Sequence, residues 1–104
     1  MSSNRLEILK TMVDQDPRNS FARYGLAMEY RNTGDPARAV EEFRRLVESD
    51  PAYTAAYFHF GQALELLGQA EEARETYRRG IEACAAKGDQ HTRNEIQAAL
   101  DLLG

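Results

Sequence analysis

The sequence is short of the residues on which most protein chemistry depends. Its 104 residues include one cysteine, two histidines, three prolines and no tryptophan. A single cysteine excludes an internal disulfide. Cys84 lies in "IEACAAK", a helical pattern with no base nearby to activate a thiol, so it reads as a small half-buried side chain. His59 and His91 stand far apart in the chain, and a zinc site would need them to converge with acidic ligands, so no metal is expected. Apolar runs are only a few residues long, whereas a membrane span needs about 20 apolar residues. The opening "MSSNRLEILK" lacks the apolar centre of a signal peptide, which gives a cytoplasmic expectation.

Positive charge is also in deficit. Thirteen Lys and Arg face seventeen Asp and Glu, for a net charge of −4. Nucleic-acid binders use a basic patch to displace counterions, so no nucleic-acid partner is expected. The pairs Arg44-Arg45 and Arg78-Arg79 sit among glutamates, as in "EEFRRLVE", and read as i,i+3 and i,i+4 ion pairs on a solvated helix face. Apolar content of 42% and charged content of 29% suit one small globular domain. A domain of this size buries roughly 60–70% of its unfolded surface.

What the chain does contain is a second copy of its own pattern. A shift of 34 positions lays Leu26 on Phe60, Ala27 on Gly61, Tyr30 on Leu64 and Gly34 on Gly68. It continues with Ala39 on Ala73, Phe43 on Tyr77 and Val47 on Ile81. The same shift runs backwards, because "LKTMVDQDP" matches "FRRLVESDP" through Leu9, Met12, Val13 and Pro17. Self-similarity at a fixed period of this length marks a stacked repeat.

Each unit reads as two helices. Phe21, Tyr24, Ala27, Met28, Tyr30 and Arg31 keep a helical period. Gly34 ends that helix, Asp35 caps the next and Pro36 fits its first turn. The second helix turns Ala39, Val40, Phe43, Leu46 and Val47 inward and stops at Asp50-Pro51. In the next unit Gly68 repeats the turn, and Glu71 and Glu72 sit at the positive end of a helix running to about Lys87. Ala27, Gly61, Ala39 and Ala73 are the small residues that let antiparallel helices approach to about 8–10 Å. Tyr30, Phe43, Leu64 and Tyr77 then fill the space between units. After Gly88-Asp89, Ile96, Ala99, Leu100 and Leu103 form one apolar stripe, a final helix covering the open end of the stack. No β pattern competes.

The stretches "LAMEYRNTGDPARAVEEFRRLVESDP" and "FGQALELLGQAEEARETYRRGIE" resemble the tetratricopeptide repeat in their order of large, small, turn-glycine, alanine and aromatic positions. The second unit departs from the pattern, with Ala85 in place of the closing proline, and neither unit has the common tryptophan. The resemblance implies an all-α, right-handed superhelix. Residues 1–17 would be a half repeat, 20–53 and 54–87 two full repeats, and 89–104 a capping helix.

The sequence holds no phosphate loop, His-Glu metal pair or Cys/His cluster, so neither catalysis nor a cofactor is expected. Glu41-Glu42 and Glu71-Glu72 point about 100° apart on a helix and read as helix-start charges. In the resembled family the first helix of each pair lines a concave face that holds peptides. That likeness nominates Phe21, Tyr24, Met28, Arg31, Ala55, Phe58, Gln62 and Glu65, with His59 beside the groove. Where some members carry a lysine and an asparagine to grip a terminal carboxylate, this chain has Tyr24 and Met28, then Phe58 and Gln62, so chaperone tails are not expected. Three readings of the aromatic groups stay open: a groove covered by a terminal helix, an apolar groove for a partner's helix or extended segment, and self-association as a homodimer or within a larger array.

Overall fold

A computed structural model describes the backbone of residues 2–104 and the side chains from Asn4 onward. Six helices follow one another: α1 (Ser2–Gln15), α2 (Ser20–Asn32), α3 (Pro36–Ser49), α4 (Thr54–Leu66), α5 (Ala70–Lys87) and α6 (Gln90–Leu103). The breaks fall where turn chemistry places them. Gly34 and Gly68 take φ of 83° and 73°, a left-handed region costly to any residue with a Cβ. At the first of these turns the Asp35 and Gly34 amides donate to the Tyr30 and Arg31 carbonyls at 2.8 and 3.2 Å, closing the orphan carbonyls of α2. Asn19, Asp35 and Asp89 accept from the backbone amides of Ala22, Arg38 and Thr92, which caps α2, α3 and α6.

The helices pack as antiparallel neighbours, α2 on α3 and α4 on α5, with α3 against α4 joining the two units. The crossings are made by residues with almost no side chain. Ala27, Ala39, Ala63 and Ala73 are fully buried, and Gly61 lies directly under the Tyr77 ring. Between the units Phe43 and Phe60 stack with centroids 6.2 Å apart and an interplanar angle of 19°. Ile96 of α6 is fully buried and closes over Gly80 of α5, while Ala99, Leu100 and Leu103 pack half-buried against the same core. α6 also touches α4, so α2, α4 and α6 form one layer in which α4 meets both of the others.

A hydroxyl–carboxylate bond recurs with the repeat. Ser20 Oγ at the start of α2 donates to Asp50 Oδ2 at 2.7 Å, before α4. Thr54 Oγ1 at the start of α4 donates to Asp89 Oδ2 at 2.6 Å, before α6. Each bond ties the entry of one helix in this layer to the entry of the next. Hydrogen bonds from Thr54 and Thr92 hold the Asp89 carboxyl below the usual carboxylate range.

Two charge readings need correction. Glu42 is not a solvated helix-start charge: it pairs at 2.6 Å with Arg23 of α2, and both side chains are largely buried. Arg44 likewise serves between helices, pairing with Glu72 of α5 and lying 5.5 Å over the Phe60 ring. Long side chains reach laterally between adjacent helices where spacing along one helix suggests only local pairs. Arg45 does make the local pair, at 3.8 Å from Glu42.

Candidate binding groove

The layer of α2, α4 and α6 carries the nominated residues. Tyr24 is the hinge between core and surface. Its ring lies 6.4 Å from Phe43 in the core, 5.2 Å from Tyr53 in the loop before α4 and 6.0 Å from His59 on α4. His59 in turn meets Phe58 edge-on at 5.1 Å. The result is a continuous row of rings, Tyr53, Tyr24, His59 and Phe58, crossing from one unit to the next. Tyr24 is therefore partly a core residue, not the freestanding groove aromatic that its spacing suggests. Burial, and after it the neighbouring Tyr53, push the Tyr24 hydroxyl above its ordinary range.

The other nominated residues divide. Met28 and Ala55 are half-buried, Met28 against the core edge. Phe21 stands 75% exposed at the start of α2, so neither terminal helix covers that end of the face. Arg31, Gln62 and Glu65 converge with Leu66 around a cleft of about 430 Å³. Glu65 also accepts a hydrogen bond from the buried Tyr77 hydroxyl, which fixes its carboxylate and pushes the tyrosine well above its ordinary pKa, with burial the larger cause.

His59 links the ring row to the cleft. Arg31 Nη1 lies 3.4 Å from His59 Nδ1, and a guanidinium can only donate, so Nδ1 accepts and the ring proton sits on Nε2. Burial, then the Arg31 charge, hold the imidazole pKa below its ordinary value, with Glu95 of α6 acting in the opposite sense. Tyr53 and Leu66 were not among the nominated residues, and His59, expected beside the groove, lies in the ring row itself. Tyr53 lies outside the helical period, and Leu66, 66% exposed, ends α4. For His59 the signal was its place next to Phe58 on the same helix.

No group of three or more His, Cys, Asp or Glu stands close enough to hold a metal ion among the described residues. No helix among them is long and apolar enough to cross a membrane. Alternating helix pairs with a half-buried ring row and a polar cleft define a helical-repeat scaffold.

The comparisons with known proteins narrow that class. The family model for the tetratricopeptide repeat matches residues 24–88. A TPR repeat-containing protein of Pseudomonas aeruginosa is 33% identical over 98 residues, covering 94% of this chain and 93% of that protein. The crystal structure of a tetratricopeptide repeat domain protein from Salinibacter ruber is 36% identical, with a TM-score of 0.78 over 82% of this chain and 94% of that one. The type III secretion chaperone SycD of Yersinia enterocolitica, in complex with a peptide of the translocator YopD, shares the fold at a TM-score of 0.89. It is only 16% identical over 98% of this chain and 79% of that one. The chain belongs to the tetratricopeptide repeat family, and it is a non-catalytic module of that family.

Proposed function

We propose that this chain holds a peptide or helix of a partner protein against the face formed by α2, α4 and α6. The single observation that carries the reading is the ring row ending beside the cleft of Arg31, Gln62, Glu65 and Leu66. Rings offer area at low entropic cost, and convergent polar groups fix the register of an extended or helical ligand. The related fold of SycD carries a YopD peptide, which supports the reading by analogy of fold alone. Phe21, Tyr24, Met28, Arg31, Ala55, Phe58, Gln62 and Glu65 form the proposed contact set, on repeats at 20–53 and 54–87 flanked by a half repeat and a capping helix. A cytoplasmic setting goes with this proposal; the lone buried Cys84 thiol fits a reducing compartment.

A second reading, self-association, draws on exposed Ile8 and Met12 along α1, at 60% and 38%. Sedimentation separates the two, because a homodimer changes mass with concentration and a monomeric binding module does not.

The test uses a phage-displayed library of random 12-residue peptides panned against the immobilised protein. Enriched peptides should lose roughly thirtyfold in affinity on Phe58→Ala, the cost of truncating an aromatic anchor of about 2 kcal/mol. Phe58 is half-buried and packs against the core edge, so the melting temperature should fall by a few degrees while the helix content holds. Failure to enrich any peptide, or equal binding to Phe58→Ala and wild type, contradicts the proposal.

A further inference from the structure

Arg31 is the charge that the groove leaves unpaired. Arg5, Arg23, Arg38, Arg44, Arg45 and Arg74 each lie within ion-pair distance of a carboxylate. Half-buried Arg31 makes no such pair among the described residues, and its contact is with an uncharged ring nitrogen of His59. That contact occupies one of the guanidinium's five N–H groups and leaves four for a ligand in the cleft that Arg31 lines. A partly desolvated guanidinium without a counter-charge is costly to keep, and a carboxylate arriving in the cleft would meet that cost with two parallel hydrogen bonds.

The other cleft walls restrict what can arrive. Gln62 supplies a second neutral donor and Leu66 an apolar wall, with 66% of its surface exposed. Glu65 shares the cleft, so a small free anion meets a negative charge as well as the positive one of Arg31. An anion stays there only when apolar groups hold it against the adjoining rings. We infer that Arg31, positioned by His59 and assisted by Gln62, binds an Asp or Glu side chain within the peptide, next to an aromatic or large aliphatic residue that seats on Phe58 and Tyr24. The ligand class is thus an internal acidic–apolar segment, not a free chain terminus. The inference rests on the groove reading above and makes it more specific.

The experiment pans the same 12-residue library against wild type, Arg31→Glu and Arg31→Gln, with helix content checked by circular dichroism. Wild type should enrich peptides with Asp or Glu within a few positions of an aromatic or aliphatic residue. Such a peptide should bind Arg31→Glu about thirtyfold more weakly or worse, as truncation of a desolvated charge pair does. Replacing its acidic residue by Lys should restore binding to Arg31→Glu. Arg31→Gln keeps hydrogen-bonding capacity without charge, and it should lose the acidic preference and acquire no basic one. If Arg31→Glu fails to fold, the Arg31→Gln selection decides. Enrichment with no acidic position, enrichment of basic residues by wild type, or an acidic preference that survives both substitutions overturns the inference and leaves the groove reading standing. Absence of any enrichment on wild type overturns both.

Discussion

Gly61→Ala adds one methyl group at the tightest point of the fold. A Cβ there would sit 2.5 and 2.6 Å from Cζ and Cδ1 of Tyr77, with Cε1 nearer still. Carbon atoms in good contact are about 3.5–4.0 Å apart, so the overlap is on the order of 1 Å. The ring cannot swing aside, because Tyr77 is fully buried and its hydroxyl is bound to the Glu65 carboxylate. α4 and α5 must therefore separate, at a cost of about 3 kcal/mol, the upper end for an overpacked core. Alanine returns about 1 kcal/mol in helix propensity over glycine. The net loss is then about 2 kcal/mol, or roughly 8–15 °C in melting temperature for a domain of this size. Gly25→Ala is the matched control on α2. Its Cβ would meet Leu9 Cδ2 at 3.1 Å, but that atom is the free end of a half-buried side chain and can yield. The propensity gain is the same, so Gly25→Ala should lie within about 0.5 kcal/mol of wild type or above it. Urea denaturation of the three proteins gives the ranking. A Gly61→Ala protein as stable as wild type, or less affected than Gly25→Ala, would refute the packing account.

His59 makes stability depend on pH. Its folded pKa is depressed, so its contribution is whole above the unfolded value near 6.5 and drains away as pH falls towards the folded value, because the unfolded chain takes up the proton first. The urea midpoint should fall further between pH 7.5 and 5.5 in wild type than in His59→Gln, and equal falls would contradict this. Cys84 is 1% exposed, with its thiol pKa raised by burial and then by Asp89. It should react with a thiol reagent at pH 8 roughly a hundredfold more slowly in the native chain than in guanidinium, and rates within a few-fold of each other would place it at the surface.

The helical punctuation was legible because it is local chemistry: a glycine, a capping side chain or a proline acts within one turn. The buried faces of α3 and α5 were legible for the same reason, since Ala39, Phe43, Ala73 and Tyr77 recur at the repeat period and all prove fully buried. What period alone does not contain is lateral reach. Arg23 finds Glu42 on the next helix and Arg44 finds Glu72 on the next unit, over distances set by helix packing. The nominated groove residues share one layer for the same periodic reason. Their coupling through Tyr53 and His59 was hidden, because Tyr53 belongs to a loop and His59 is one position off the repeat match to Tyr24. The Ser20–Asp50 and Thr54–Asp89 bonds join residues about one repeat apart, and neither member looks unusual in its own helix.

The central claim is that the α2, α4 and α6 layer is the binding surface. The most direct measurement is a titration of isotope-labelled protein with a peptide enriched from the library, followed by two-dimensional NMR. The account predicts that the largest amide and side-chain shifts fall on Tyr24, Arg31, Phe58, His59, Gln62 and Glu65. Shifts concentrated instead on α1 at Ile8 and Met12, or around Arg79 and Ala83 of α5, would contradict it.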